Sequence, residues 1–544
     1  MGSTPSVPGS RVQDDARGPR STQEVDQRSP GERAPAEHHK THRIKWAGLV
    51  GGLVLALLIY VLLPADLAPH ARLTAATAVL MGVWWMTEAI PIPATALLPL
   101  IIFPVLAPNV AVDDVGASYG SNIIFLFMGG FLLALAMQRW NLHRRIALRT
   151  VRVMGTKPAQ MVAGFMVATG FLSMWVSNTA TAVMMIPIGV SVLLLLPNLM
   201  NDAAAAAGAE PADADLENAD PRSEQVKEAV IASNFGTAMM LGIAYAASIG
   251  SLGTIIGTPP NTLMVGYLQE SHDITVGFGQ WMLVGVPLSV VMLAIAWFLL
   301  TKVLFKPEID EIPGGRKLIS DELHKLGPMS TGEKLVLAIF ALAAFSWVFV
   351  PVIFDSPPIS DAGIAMVVGV LLFLLPAGAQ RGVRLLDWES AVRLPWGVLL
   401  LFGGGLALSS QFSASGLTEW IGTQVEALGA VPVVVLVLVV AAGVIFLTEL
   451  TSNTATAATF LPVAGGVALG LDMDPMLLAI PVALAATCAF MLPVATPPNA
   501  IAFGSGYVTI GQMIKGGLWL NIVGIALITL VTMTLGVWVF GIVY

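Results

Sequence analysis

Ser177-Asn178-Thr179-Ala180-Thr181 and Ser452-Asn453-Thr454-Ala455-Thr456 spell the same string, SNTAT, 275 positions apart. A second string, TPPN, also occurs twice, as Thr258-Pro259-Pro260-Asn261 and Thr496-Pro497-Pro498-Asn499, each copy downstream of its SNTAT. All four sit in strongly apolar sequence, where hydroxyls, amides and paired prolines are costly unless satisfied. Phe127-Met128-Gly129-Gly130 and Phe402-Gly403-Gly404-Gly405 keep the spacing of 275, whereas the TPPN copies lie 238 apart. The difference of 37 is absorbed mostly by an acidic stretch, 199–227, found only in the first half. The segments of Gln280 and Gln512 also correspond. The chain is a duplication of a unit of about 200 residues.

Composition decides the medium. The 544 residues are 56% hydrophobic and 11% charged, against about 25% charged in soluble domains, and the mean hydropathy is +0.79. Apolar runs of roughly 17–25 residues cross a membrane as helix. Outer-membrane strands would be shorter and alternating, which excludes a barrel. The net charge of −8 resides in loops and does not point to nucleic acid. Cys488 is the only cysteine, which rules out an intramolecular disulfide and a cysteine metal site. Residues 1–45 are too polar to build a core and are expected to be a disordered cytoplasmic tail, without the apolar stretch of a signal peptide.

Apolar runs lie near 46–64, 70–90, 91–108 and 120–138, then 277–303, 335–354, 361–377, 394–413 and 516–543. Between them stand the SNTAT blocks, 158–198 and 431–471, and the TPPN blocks, 228–268 and 475–510. If each SNTAT block enters and leaves by one side, all of the 27 Lys and Arg except Arg72 fall on the side of the N-terminus. That side is then cytoplasmic and the C-terminus extracytoplasmic. The expectation is an all-α polytopic membrane protein of eleven crossings plus two blocks with no net crossing. The arms flanking SNTAT span roughly 23–26 Å as helix, short of the hydrocarbon core of about 30 Å. Re-entrant hairpins fit, the first entering from the cytoplasm and the second from outside. Residues 228–268 as one helix would measure about 60 Å. Gly257, Pro259 and Pro260 interrupt it, so a broken helix with an extended Thr258–Asn261 link is expected, and likewise at Thr496–Asn499. The halves begin on opposite sides, which makes an inverted repeat with its site at the interface.

Hydroxyls, amide oxygens and freed carbonyls are hard ligands suited to an alkali cation, and no His lies near either motif. Hairpin tips also present helix N-termini, whose N–H groups attract anions. No Lys or Arg stands within ten residues of any copy of the two motifs. An anion there needs co-bound cations, which predicts reciprocal coupling. Ser173 and Thr448 stand one helical turn before Ser177 and Ser452 and can add an oxygen each. Taken singly, such residues also serve as helix-packing glue; two paired copies in an inverted repeat favour a site. Glu449, whose repeat partner is Met174, is read as bracing the hairpin through hydrogen bonds, with direct contact to cation or substrate as the alternative. Glu88, shortly before Pro91, is read as a helix end.

On the two SNT motifs, the two TPPN strings, Trp84–Pro91 (WWMTEAIP) and Thr448–Thr456 (TELTSNTAT), the chain resembles the divalent anion:sodium symporter family over about residues 46–544. The resemblance implies eleven transmembrane helices, two opposed hairpins, a homodimer and an elevator-like transport domain. The scaffold would comprise 46–140 and 335–413, and the transport domain 158–303 and 431–543. One sodium site would use Ser173, Ser177, Asn178 and Gly257, and the other Thr448, Ser452, Asn453 and Ala495. Substrate carboxylates would meet Asn178, Thr179, Asn453, Thr454 and Thr496. The expected function is sodium-coupled import of C4-dicarboxylates such as succinate, fumarate or malate across the cytoplasmic membrane, with sodium as coupling ion and no cofactor. Alternatives are a sodium-independent exchanger, a tricarboxylate or sulfate symporter, and a channel. A membrane-embedded enzyme with Ser177 or Ser452 as nucleophile would need a neighbouring base, which neither motif contains.

Overall fold

The computed structural model describes residues 39–107, 109–155, 157–193, 231, 233–309, 311–312, 315–354, 356–426 and 431–542. Residues 1–38 of the expected tail and the acidic 199–227 stretch lie outside the described residues. The tail was expected to reach residue 45, but the first helix already begins at His39 and runs to Leu62. Its first turns carry Arg43 and Lys45 ahead of the apolar span, a sequence position where Lys and Arg commonly flank a membrane segment.

Among the described residues the chain is helical, with one isolated bridge, Pro376 to Arg384, and no strand. Six helices among the described residues are long and apolar enough to cross a membrane: His42–Leu62, Val112–Arg139, Phe278–Leu304, Thr331–Ile353, Trp396–Ala414 and Ile510–Phe540. The expected 91–108 crossing is divided into Ile92–Thr95 and Pro99–Leu106. Proline breaks the backbone ladder there, and the Tyr119 hydroxyl donates to the Ala96 carbonyl in the gap. Glu88 caps the Pro69–Thr87 helix in the left-handed region, at φ 48°.

Each SNTAT lies at a turn between two helices. The first pair is Pro158–Ser173 and Asn178–Leu193, and the second is Val433–Thr448 and Asn453–Gly470. Each TPPN block is a broken helix, Asn234–Ser251 then Pro259–His272, and Met476–Thr487 then Pro497–Gly504. The break is placed differently from expectation. Of the four TPPN residues only the threonine is extended (Thr258 φ −142°, Thr496 φ −139°), while the prolines open the next helix. Proline suits the first turn because its missing N–H would have had no intrahelical partner there. The irregular backbone lies upstream instead, over Leu252–Thr258 and Cys488–Thr496.

The repeat extends to an element that the motifs do not mark. The charged stretch between the 120–138 run and the 158–198 block holds an amphipathic helix, Leu142–Met154, and its counterpart Leu417–Glu426 starts 275 positions later. Arg145, buried, anchors the first of these, its Nε 2.7 Å from Glu333 Oε1 and its Nη1 2.9 Å from the Gly327 carbonyl.

Packing crosses between the halves. The upstream segment of each broken helix lies against the helix pair of its own half. The downstream segment lies against the other half's pair: Pro259–His272 on Asn453–Gly470, and Pro497–Gly504 on Asn178–Leu193. The repeat-related rings of Phe127 and Phe402 meet edge to face, with centroids 4.9 Å apart. A residue touching its own repeat mate is what a two-fold relation produces.

Candidate functional site

The crossed packing brings two SNT turns and two unwound links to the same region. Ser177, Asn178 and Thr179, and Ser452, Asn453 and Thr454, are half-buried, whereas Ser173, Gly257, Thr258, Thr448, Ala495 and Thr496 are buried. The turns are therefore more open than the links.

In the second half, oxygens converge on Asn453. Thr448 Oγ1 is 2.8 Å from Asn453 Oδ1 and donates to the Ala486 carbonyl at 3.0 Å. The end of the Asn453 carboxamide also stands 3.1 Å from the Ala486 and Ala495 carbonyls. With its NH2 inward, Asn453 donates to all three groups. With its oxygen inward, a hydroxyl, an amide oxygen and two carbonyls crowd together, an arrangement that a hard cation satisfies. Three of the four residues expected at this site, Thr448, Asn453 and Ala495, thus meet. Ser452 precedes the Asn453–Gly470 helix without capping it, and its carbonyl accepts from Thr456 N at 2.9 Å.

The first half is built alike but is less gathered. Ser173 Oγ donates to the Ala247 carbonyl at 2.5 Å, the counterpart of Thr448 on Ala486. Ser177 Oγ accepts from Ala180 N at 3.3 Å, and Asn178 Oδ1 accepts from Thr179 N at 2.8 Å. Asn178 therefore folds onto its own backbone, and no hydrogen bond among the described residues joins it to Gly257. Gly257 itself admits no side chain, since a Cβ would lie 2.2 Å from the Ser251 carbonyl oxygen.

The links are held by asparagines. Asn261 Nδ2 donates to the Leu252 and Thr254 carbonyls at 3.2 and 2.9 Å. Asn499 Nδ2 does the same to Ala489 and Leu492 at 3.3 and 3.1 Å. These last residues of TPPN are staples for unwound backbone, so the motif's work lies in the link behind it. Thr496 Oγ1 accepts from Asn499 N at 3.2 Å, a cap that Thr258 does not make.

Glu449 is 3% exposed. Its Oε1 accepts from Phe490 N and Met491 N at 2.8 and 2.9 Å, its Oε2 from Leu492 N at 3.0 Å, and Asn521 Nδ2 donates to Oε1 at 2.7 Å. Successive N–H groups around a carboxylate form a nest that replaces hydration. Glu449 thus braces by hydrogen bonds, and what it braces is the link rather than the hairpin alone. Ala247, Ala486, Thr254, Thr487 and Asn521 escaped the sequence reading. Carbonyl acceptors leave no letter in a sequence, but Asn521, polar within an apolar run, was a usable signal.

The family model described as the sodium:sulfate symporter transmembrane region matches residues 43–542. The chain belongs to this family. Membership makes it a multi-pass membrane transporter and not an enzyme, and agrees with the resemblance carried by the SNT and TPPN strings. Among curated members, the sodium-dependent dicarboxylate transporter SdcS of Staphylococcus saprophyticus is 43% identical over 497 residues, covering 89% of this chain and 91% of the relative. SdcS of Staphylococcus aureus USA300 is 41% identical over 495 residues, with the same coverage. Among solved structures, the YdaH transporter of Alcanivorax borkumensis aligns over 92% of this chain and 98% of its own at a TM-score of 0.48 and 15% identity, too distant to inform the site.

Proposed function

We propose that this family member couples sodium entry to uptake of C4-dicarboxylates, such as succinate, fumarate or malate, across the cytoplasmic membrane. The observation that carries the reading is the convergence of the Thr448 hydroxyl, the Asn453 carboxamide and the Ala486 and Ala495 carbonyls beside half-buried SNT turns, which becomes a cluster of oxygens when the carboxamide turns its oxygen inward. Oxygens alone favour a cation, and without a nearby Lys or Arg the substrate carboxylates depend on it. One sodium ion takes Thr448, Ser452, Asn453 and Ala495, and a second takes Ser173, Ser177, Asn178 and Gly257. The two carboxylates lie between Asn178-Thr179 and Asn453-Thr454, with Thr496 at the side. The closely related SdcS proteins are named for this substrate class and this ion, which supports the assignment.

In this reading the SNTAT helix pairs are re-entrant hairpins opposed across an inverted repeat. The N-terminus is cytoplasmic, the C-terminus is extracytoplasmic, and the transporter is a homodimer. The 158–303 and 431–543 segments move as an elevator against 46–140 and 335–413. Uptake of labelled succinate into proteoliposomes tests the function: an imposed sodium gradient should drive accumulation, and equal uptake when potassium replaces sodium overturns it. Asn178→Ala and Asn453→Ala should each abolish uptake while the purified protein keeps its size-exclusion profile.

A further inference from the structure

We propose that the hydroxyl pair Thr258–Thr487 couples the two cation sites, so that filling one raises the affinity of the other. The inference rests on the two-site reading above. Thr258 Oγ1 and Thr487 Oγ1 lie 3.2 Å apart, both buried, joining the broken helix of one half to that of the other. Each partner is one residue from a group at a cation site, Gly257 being assigned to one ion and the Ala486 carbonyl touching Thr448, which is assigned to the other. Thr258 follows Gly257, and Thr487 follows Ala486, whose carbonyl takes the Thr448 hydroxyl at 3.0 Å.

Local structure does not require this bond. Thr496, the repeat mate of Thr258, spends its hydroxyl on Asn499 N, capping its own helix. Thr258 makes no such cap and reaches across the molecule instead. At the TPPN spacing the mate of Thr487 is Ile249, and by the correspondence of Ala486 with Ala247 it is Ser248, whose hydroxyl has no partner among the described residues; by either pairing the bond is made once and stands off the symmetry of the repeat. Both residues border unwound backbone, whose carbonyls must turn toward an arriving ion. Turning the Ala486 carbonyl moves residue 487, the shared hydrogen bond carries that shift to Thr258, and Gly257 follows. The reverse path gives the reciprocity that linkage demands.

The test is sodium titration of purified wild type, Thr487→Val, Thr258→Val and the double variant, read by thermal stabilisation in detergent and by succinate uptake in proteoliposomes. Valine keeps the shape of threonine and removes only the hydroxyl, and Thr487→Ser restores it. Wild type should be sigmoidal. Each valine variant should approach a Hill coefficient of 1 and need on the order of fivefold more sodium for half-saturation, the low end of ordinary coupling. The half-saturating succinate concentration at saturating sodium should stay within about twofold, since no substrate contact is lost. The double variant should add nothing, because only one bond is at stake, and Thr487→Ser should regain the wild-type curve. A hyperbolic wild type, variants with the wild-type Hill coefficient, or effects that sum in the double variant overturn the coupling. Absence of both sodium stabilisation and sodium-driven uptake in wild type overturns the transport reading itself, a separable result.

Discussion

The two halves solve one structural problem with opposite parts. Position 174 in the first half corresponds to 449 in the second, and position 254 corresponds to 492. In the first half the link supplies the side chain, as Thr254 Oγ1 donates to the Met174 carbonyl. In the second the hairpin supplies it, as the Glu449 carboxylate accepts from the backbone of Phe490, Met491 and Leu492. The duplication has preserved the connection between hairpin and link, with the link donating in both halves, while exchanging which side supplies the side chain. One hydroxyl holds the first link and a buried charge holds the second, so the halves should differ in how much a single substitution removes.

The largest difference should come from Glu449→Ala, which strands three backbone N–H groups and the Asn521 amide at a buried position. Breaking a buried, hydrogen-bonded charge costs roughly 3–5 kcal/mol. Uptake should vanish and the melting temperature of the purified protein should drop sharply. Thr254→Val, its counterpart in the first half, removes one hydrogen bond worth about 1 kcal/mol and should leave measurable uptake. Equal damage from the two would break the comparison.

Gly257→Ala should follow in size. The clash with the Ser251 carbonyl forces the link to shift, at a cost of about 1–3 kcal/mol, and sodium-driven uptake should fall at least tenfold. Ala495→Gly, the mirror substitution, removes one methyl group and should keep most of the transport rate. The smallest effect should be that of Thr496→Val on stability. Losing the cap on Asn499 N costs about 1 kcal/mol, read as a small fall in melting temperature, with any larger loss of uptake reporting substrate contact.

Much of this was legible from letters alone. SNTAT and TPPN repeat, so the turns, the broken helices and the correspondence of the halves could be read before any coordinates. The short helices on either side of each SNTAT turn were readable as apolar arms, and Glu449 stood out by being acidic in an apolar run. What could not be read was carried by backbone. The Ala247 and Ala486 carbonyls act through helix ends, and their side chains are mute methyl groups. The link was expected at Thr258–Asn261 because prolines break helices, yet prolines also start them, and here the second effect prevails. The Leu142–Met154 helix was hidden in a charged stretch that reads as a loop when charges are counted for topology, although LHRRIALRTVRVM carries apolar residues at helical spacing. Asn178 and Asn453 are identical letters with different reach, one folded on its own turn and the other across to the broken helix of its own half.

The crossed packing also sets a timetable for synthesis. The Asn178–Leu193 helix rests on Pro497–Gly504, a segment made roughly 300 residues later. At about 5–20 residues per second the first hairpin waits on the order of 15–60 s for its partner. During that interval its polar turn stands in a half-built bundle without the Pro497–Gly504 segment that its second helix rests on. The nascent chain must shelter Ser177, Asn178 and Thr179 with lipid interface, water or insertion machinery until the last quarter arrives. Truncation before residue 497 would leave that first hairpin without its seat.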